Sequence, residues 1–164
     1  MGAIREERTG DVQAIYDLTQ EAFKPMPFSD GAEAAIVNRL RADGDLTVSF
    51  VAEVDGEIVG HIAFSPAQVG GERGWFGLGP VSVRAILQRQ GIGRALIQKG
   101  LSILAGRDAR GCVLIGNPHI YSRVGFASEG RISYRDLEPA LVQWVVFRGQ
   151  PPEGVVRFAR ALEG

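Results

Sequence analysis

The chain has 164 residues, is 45% hydrophobic and 23% charged, and carries a formal net charge of −1. That length suits one domain with a sizeable core, so a single domain over residues 1–164 is expected. The composition excludes a disordered chain, and near-neutral charge excludes a broad nucleic-acid surface, which needs clustered, uncompensated Lys and Arg. No run approaches the roughly 20 apolar residues that span a bilayer. Cys112 is the only cysteine, so no intrachain disulfide can form. Residues 1–9 alternate charged and small side chains without an apolar signal region. Both features point to a cytoplasmic location.

Ala3 to Glu7 reads as a short first strand. Thr9 and Asp11 offer caps for a helix in which Val12, Ile15, Leu18 and Ala22 recur at helical spacing. Lys24-Pro25-Met26-Pro27 stops it, because proline lacks an amide and clashes with the preceding turn. Ser29 or Asp30 can cap a second helix running to about Arg41, with Ile36, Val37 and Leu40 facing inward. Thr47–Val54 and Glu57–Ser65 read as strands joined at Asp55-Gly56, a pair suited to a tight turn with positive φ at both centres. Trp75–Val83 is a further strand that carries Gly77, Gly79 and Pro80. Gly91–Gly106 is a helix, Gly111–Ile115 a buried strand, and Asn117–Val124 a short helix or turn. Phe126 is read as opening another strand, and Leu141–Phe147 as a final long one, rich in Val and aromatics. In the tail, Val155–Leu162 suits strand or helix, with a strand over Val155–Phe158 preferred. This order points to an α/β or α+β sandwich with a mixed sheet covered by helices.

The segment from Leu78 to Phe126 carries the chemistry. Gln88-Arg89-Gln90-Gly91-Ile92-Gly93 opens a helix with two glycines one residue apart. A helix start leaves several amides unpartnered and adds partial positive charge, and glycine lets an anion approach the backbone. Arg89 and Arg94 add charge at the rim. Two glycines alone fit a ligand-free turn as well as a phosphate loop. A Walker loop is excluded by the absence of Gly-Lys-Ser/Thr, and a dinucleotide fingerprint by the mid-chain position after an antiparallel meander.

Gln88, Gly91 and Gly93 follow a strand reading Leu78-Gly79-Pro80-Val81-Ser82-Val83. Downstream, Asn117 is followed by Tyr121-Ser122-Arg123-Val124-Gly125-Phe126, a tyrosine four residues before a Gly-Phe pair. This arrangement resembles the GNAT superfamily of N-acyltransferases, whose Gln/Arg-x-x-Gly-x-Gly/Ala loop binds the coenzyme A pyrophosphate. Gly60-His61-Ile62-Ala63-Phe64-Ser65 and Leu78-Gly79-Pro80-Val81 look like a bacterial branch of that family. The resemblance implies a mostly antiparallel mixed sheet with a splayed strand pair, flanked by helices. It also implies acetyl-coenzyme A as donor. Val81, Ser82 and Val83 would bond the pantetheine arm, with the amide near Val81 at the thioester carbonyl. Gln88, Arg89, Gln90, Gly91, Ile92, Gly93 and Arg94 would hold the pyrophosphate, Asn117 would bond the pantetheine or cap the turn that follows it, and Tyr121 would complete the donor site. A homodimer through the last strands also fits the family.

Tyr121 is the candidate general acid for the leaving thiolate; a core tyrosine with a solvated hydroxyl is the plainer role. No base stands out: Trp75–Val83 holds no acid, Glu53 and Glu72 lie nearby, and His61 and His119 titrate in the right range. His61, in an apolar strand, reads first as a hydrogen-bonded structural histidine. Cys112, in an apolar run, reads as buried rather than nucleophilic, which favours direct amine attack over an acyl-cysteine. No His/Cys/carboxylate cluster has metal-ligand spacing, so no metal is expected. The acceptor is a primary amine of unknown identity, bordered by Phe23–Asp30, Gly70–Gly74 and Ser128–Pro139. The alternative is a non-catalytic acyl-coenzyme A sensor.

Overall fold

A computed structural model describes residues 2–164. In chain order its elements are β1 (Ala3–Glu6), α1 (Val12–Phe23), α2 (Glu33–Ala42), β2 (Val48–Val54), β3 (Glu57–Val69), β4 (Glu72–Val83), α3 (Ile92–Gly106), β5 (Gly111–Ile115), α4 (Pro118–Tyr121), β6 (Ile132–Ser133), β7 (Val142–Val146), β8 (Gly154–Arg157) and α5 (Arg160–Glu163). The strands make an eight-stranded, mixed, mostly antiparallel sheet of main order β1-β2-β3-β4-β5-β7, with β8 pairing β3 and β6. The expected fold class is therefore the one adopted. The chain groups into two compact units: residues up to Phe64 with Gly79–Gly100, and Ser65–Leu78 with Leu101–Gly164. Strands β3 and β4 contribute residues to both.

In the first unit, β1, β2 and β3 form an antiparallel meander. The β2–β3 turn has φ of 51° at Asp55 and 80° at Gly56, as its sequence demands. Helix α1 buries Ile15, Leu18, Thr19 and Ala22, one face at helical spacing. Ile15, Val37 and Val51 form a core with Ile58 packed against it. Helix α2 begins at Glu33, later than expected. Ser29 Oγ donates to Glu33 and accepts from the Gly31 amide, while Asp30 accepts from Ala32. Those side chains build a turn ahead of the helix and do not cap it. Val37 and Leu40 are buried and Ile36 only half so.

In the second unit, β4 pairs β5 in parallel over three residues, from Trp75↔Gly111 to Gly77↔Val113, where the ladder ends. Strand β7 lies antiparallel to β5 from Gly111↔Val146 to Ile115↔Val142. The core gathers Ala67, Val69, Trp75, Val113, Ile132 and Val156. Phe126 does not open a strand. Only Ala127 bridges to Trp144, and the polar Ser128-Glu129-Gly130-Arg131 that follows, with φ of 79° at Gly130, cannot extend the pairing. The tail holds both readings in succession, the strand β8 and then the short helix α5.

Candidate functional site

The end of β4 leads to the loop. Gly79 has φ of 126°, a value that favours glycine, and Pro80 to Val83 follow as strand. The Ser82 side chain is buried, its Oγ 3.3 Å from Thr19 Oγ1, which itself donates to Ile15 O. Ser82 therefore offers a ligand its backbone only. Arg84 closes the strand through its amide to Val59 O and its guanidinium to Glu57.

Gln88 turns back on the strand, its Nε2 donating to Val83 O at 3.0 Å, and so braces the loop it begins. Arg89 and Gly91 adopt φ of 64° and 92°. The first bond of α3 runs from Ala95 N to Gly91 O, so the amides of Ile92, Gly93 and Arg94 precede any intrahelical acceptor. A Cβ on Gly91 would meet nothing within 4 Å, whereas one on Gly93 would touch Val83 Cγ2 at 3.6 Å. Gly91 is thus required by its dihedral and faces open space; Gly93 is not required by either. The start of this 15-residue helix carries the positive end of its dipole, the kind of place where anions bind. Arg89, Gln90 and Arg94 are exposed around it.

In the second unit, Asn117 ends the β5 segment and caps α4. Its Oδ1 accepts from the His119 amide at 2.9 Å, and its carbonyl accepts from Ile120 and Tyr121. The half-buried Tyr121 ring lies over Gly116, where a Cβ would come 2.6 Å from its Cε2, and meets Phe126 edge-on with centroids 6.2 Å apart. Burial pushes the phenol's pKa up, so it keeps its proton at neutral pH and can act as an acid.

Other candidates are engaged elsewhere. Glu53 pairs with Arg5 and Glu72 with Arg110. Cys112 is fully buried, and burial pushes its thiol pKa up, away from the reactive thiolate. His61 is fully buried, with Nε2 2.8 Å from Ser49 Oγ. Ser49 donates to Glu7 Oε1, which leaves its oxygen to accept from Nε2–H and fixes the tautomer. Arg41 grips both Glu7 oxygens at 2.8 Å. Burial, joined by Arg41, lowers the His61 pKa to about 4 against the pull of Glu7. This Glu7–Ser49–His61 chain was not foreseen from sequence; the only sign of it was a histidine in an apolar strand. An open polar cavity of about 530 Å³, lined by Arg5, Asp17, Glu21, Glu57 and Arg84 among others, also carried no sequence mark. No group of three or more metal-ligating side chains occurs among the described residues, and no helix there is long and apolar enough to cross a membrane.

A strand running into a glycine-bearing helix start is the arrangement that phosphate-binding βα units share. Residues 12–126 match the model of the acetyltransferase (GNAT) family, and the chain belongs to that family. It is 42% identical over 125 residues to the uncharacterized N-acetyltransferase YhbS of Escherichia coli K12, covering 75% of this chain and 72% of that protein. A GNAT family acetyltransferase from Brucella melitensis, solved in complex with acetyl-CoA, superposes with a TM-score of 0.88 at 43% identity, over 99% of this chain and 98% of that one. The E. coli YhbS structure in complex with CoA gives a TM-score of 0.90 at 30% identity, over 99% and 92%.

Proposed function

We propose that the chain transfers an acetyl group from acetyl-CoA to a primary amine by direct attack, with both substrates bound together. The observation that carries the reading is the loop into α3, with Gly91 at φ 92° and clear space above it at the helix start. Backbone groups of Val81, Ser82 and Val83 would bond the pantetheine arm, and Gln88 through Arg94 the pyrophosphate, with Asn117 and Tyr121 completing the donor's contacts. The amine nitrogen attacks the thioester carbon, the C–S bond breaks, and sulfur leaves with the electron pair. Tyr121 then gives that sulfur its proton, and the acetylated amine loses one to water. The Val81 amide would stabilise the tetrahedral oxyanion. Full burial of Cys112 supports direct attack over an acyl-cysteine. Phe28, 76% exposed and edge-on to Phe23, supports an apolar wall for the acceptor. Use of acetyl-CoA and a lone reduced cysteine suit a cytoplasmic enzyme, and pairing of two copies through the last strands suits the family.

Tyr121→Phe is expected to lower kcat by about 10²-fold while leaving acetyl-CoA affinity within about twofold. Steady-state kinetics with titration calorimetry measures both. Equal losses in kcat and affinity would assign Tyr121 to binding instead. Turnover across a panel of amines separates the enzyme from a coenzyme A sensor, which would bind without acetylating any of them.

A further inference from the structure

The turn that carries Asn117 and Tyr121 is held from beneath by one side chain. Gln143, on β7 opposite Leu114, is completely buried. Its Nε2 donates to Gly116 O at 2.8 Å and more weakly to Leu141 O at 3.4 Å. Leu141 O in turn accepts the Gly116 amide at 3.0 Å. Both peptide groups flanking the Gly116 Cα are thereby tied down or continuous with the Asn117 cap. The amide orientation is fixed, because two carbonyl oxygens require the NH₂ group and would repel the Oε1. Oε1 is buried without a partner.

We propose that Gln143 is a positioning residue for the acetyl-transfer step, which sets the Tyr121 phenol by clamping the Gly116 carbonyl. The Tyr121 ring rests directly on Gly116, where no Cβ could fit, so any shift of that peptide moves the ring. The backbone of Tyr121 hangs on Asn117 O, one residue further on. Ring and backbone thus both trace back to the peptide that Gln143 grips. Displacement of a catalytic group by about 1 Å can cost up to about 10²-fold in rate. This inference rests on the reading of Tyr121 as general acid.

The test is Gln143→Met, which keeps length and volume but removes the donor. The expected result is a fall of about tenfold in kcat with acetyl-CoA affinity within about twofold. Ultraviolet titration of tyrosinate, with the Tyr121→Phe background subtracted, should show Tyr121 ionising at lower pH than in the unaltered protein, closer to its ordinary value near 10, as its ring gains water. If Gln143→Met does not fold, Gln143→Glu carries the test. A protonated carboxyl can still donate to Gly116 O, so the ratio of its kcat to that of the unaltered enzyme should rise as pH falls. Unchanged kcat together with an unchanged Tyr121 titration overturns the proposal, as does a pH-independent ratio for the glutamate variant. Failure of the underlying reading looks different: Tyr121→Phe would keep full turnover, while Gln143→Met would still move the tyrosine titration.

Discussion

His61 shows how a single side chain ties stability to pH. Buried and neutral, it donates to Ser49, and its pKa falls to about 4 from an ordinary 6.5. The unfolded chain therefore binds a proton between those values that the folded chain refuses. The sign follows: the contribution is fully present above about pH 6.5 and is lost as pH falls toward 4. Its size is about 3 kcal/mol. Burial raises the Glu7 carboxyl, but the bonds from Arg41 and Ser49 together outweigh it and leave its pKa lowered, so a second loss sets in below its ordinary 4.5. Urea unfolding midpoints should drop between pH 7 and pH 5, and the drop should shrink in His61→Gln. A midpoint that is flat across that interval would contradict the account.

Among the elements, the loop from Gln88 to Gly93 separates two glycines that look alike in sequence. Gly91→Ala forces a Cβ onto a positive φ, at about 1–2 kcal/mol, and the backbone relieves this by moving the amides. Gly93→Ala meets only an ordinary contact with Val83. Coenzyme A affinity by calorimetry should fall about tenfold or more in the first and stay within about twofold in the second. Equal effects would mean that the glycines act by giving room rather than by shaping the backbone. The loop was legible because its signal is local: two glycines, a strand before them and a helical pattern after. The Asp55-Gly56 turn was legible for the same reason. Strand β6 was not, since two residues can hardly announce a pairing whose partner, β8, lies about twenty residues on. Nor was the late start of α2, where Ser29 and Asp30 spend their oxygens on a turn. Tyr121 stands out in sequence only because its spacing to Gly125-Phe126 resembles the family pattern, whereas Gln143 has no such mark, because its target is a backbone carbonyl 27 residues away.

For the whole molecule, binding of the donor and folding are linked. A ligand held by the folded chain alone, at a hundred times its Kd, adds about 2.7 kcal/mol of stability. For a chain of this size that corresponds to a rise in Tm of roughly 5–10 °C. Thermal unfolding with and without coenzyme A should show it, and Gly91→Ala should need more ligand for the same rise. A Tm indifferent to saturating coenzyme A would mean that the folded chain gains nothing from the donor. The seating of α3 on β3 gives that linkage a particular character. A Cβ on Gly60 would come within 3.0 Å of both Ile92 and Leu96, and one on Gly100 within 2.1 Å of the Phe64 ring. The helix is therefore packed closely on the strand at both its first and third turns. That packing holds the start of the helix against the strand. A donor analogue with a displaced or shortened phosphate arm is therefore expected to bind more weakly than coenzyme A, a loss that calorimetry measures.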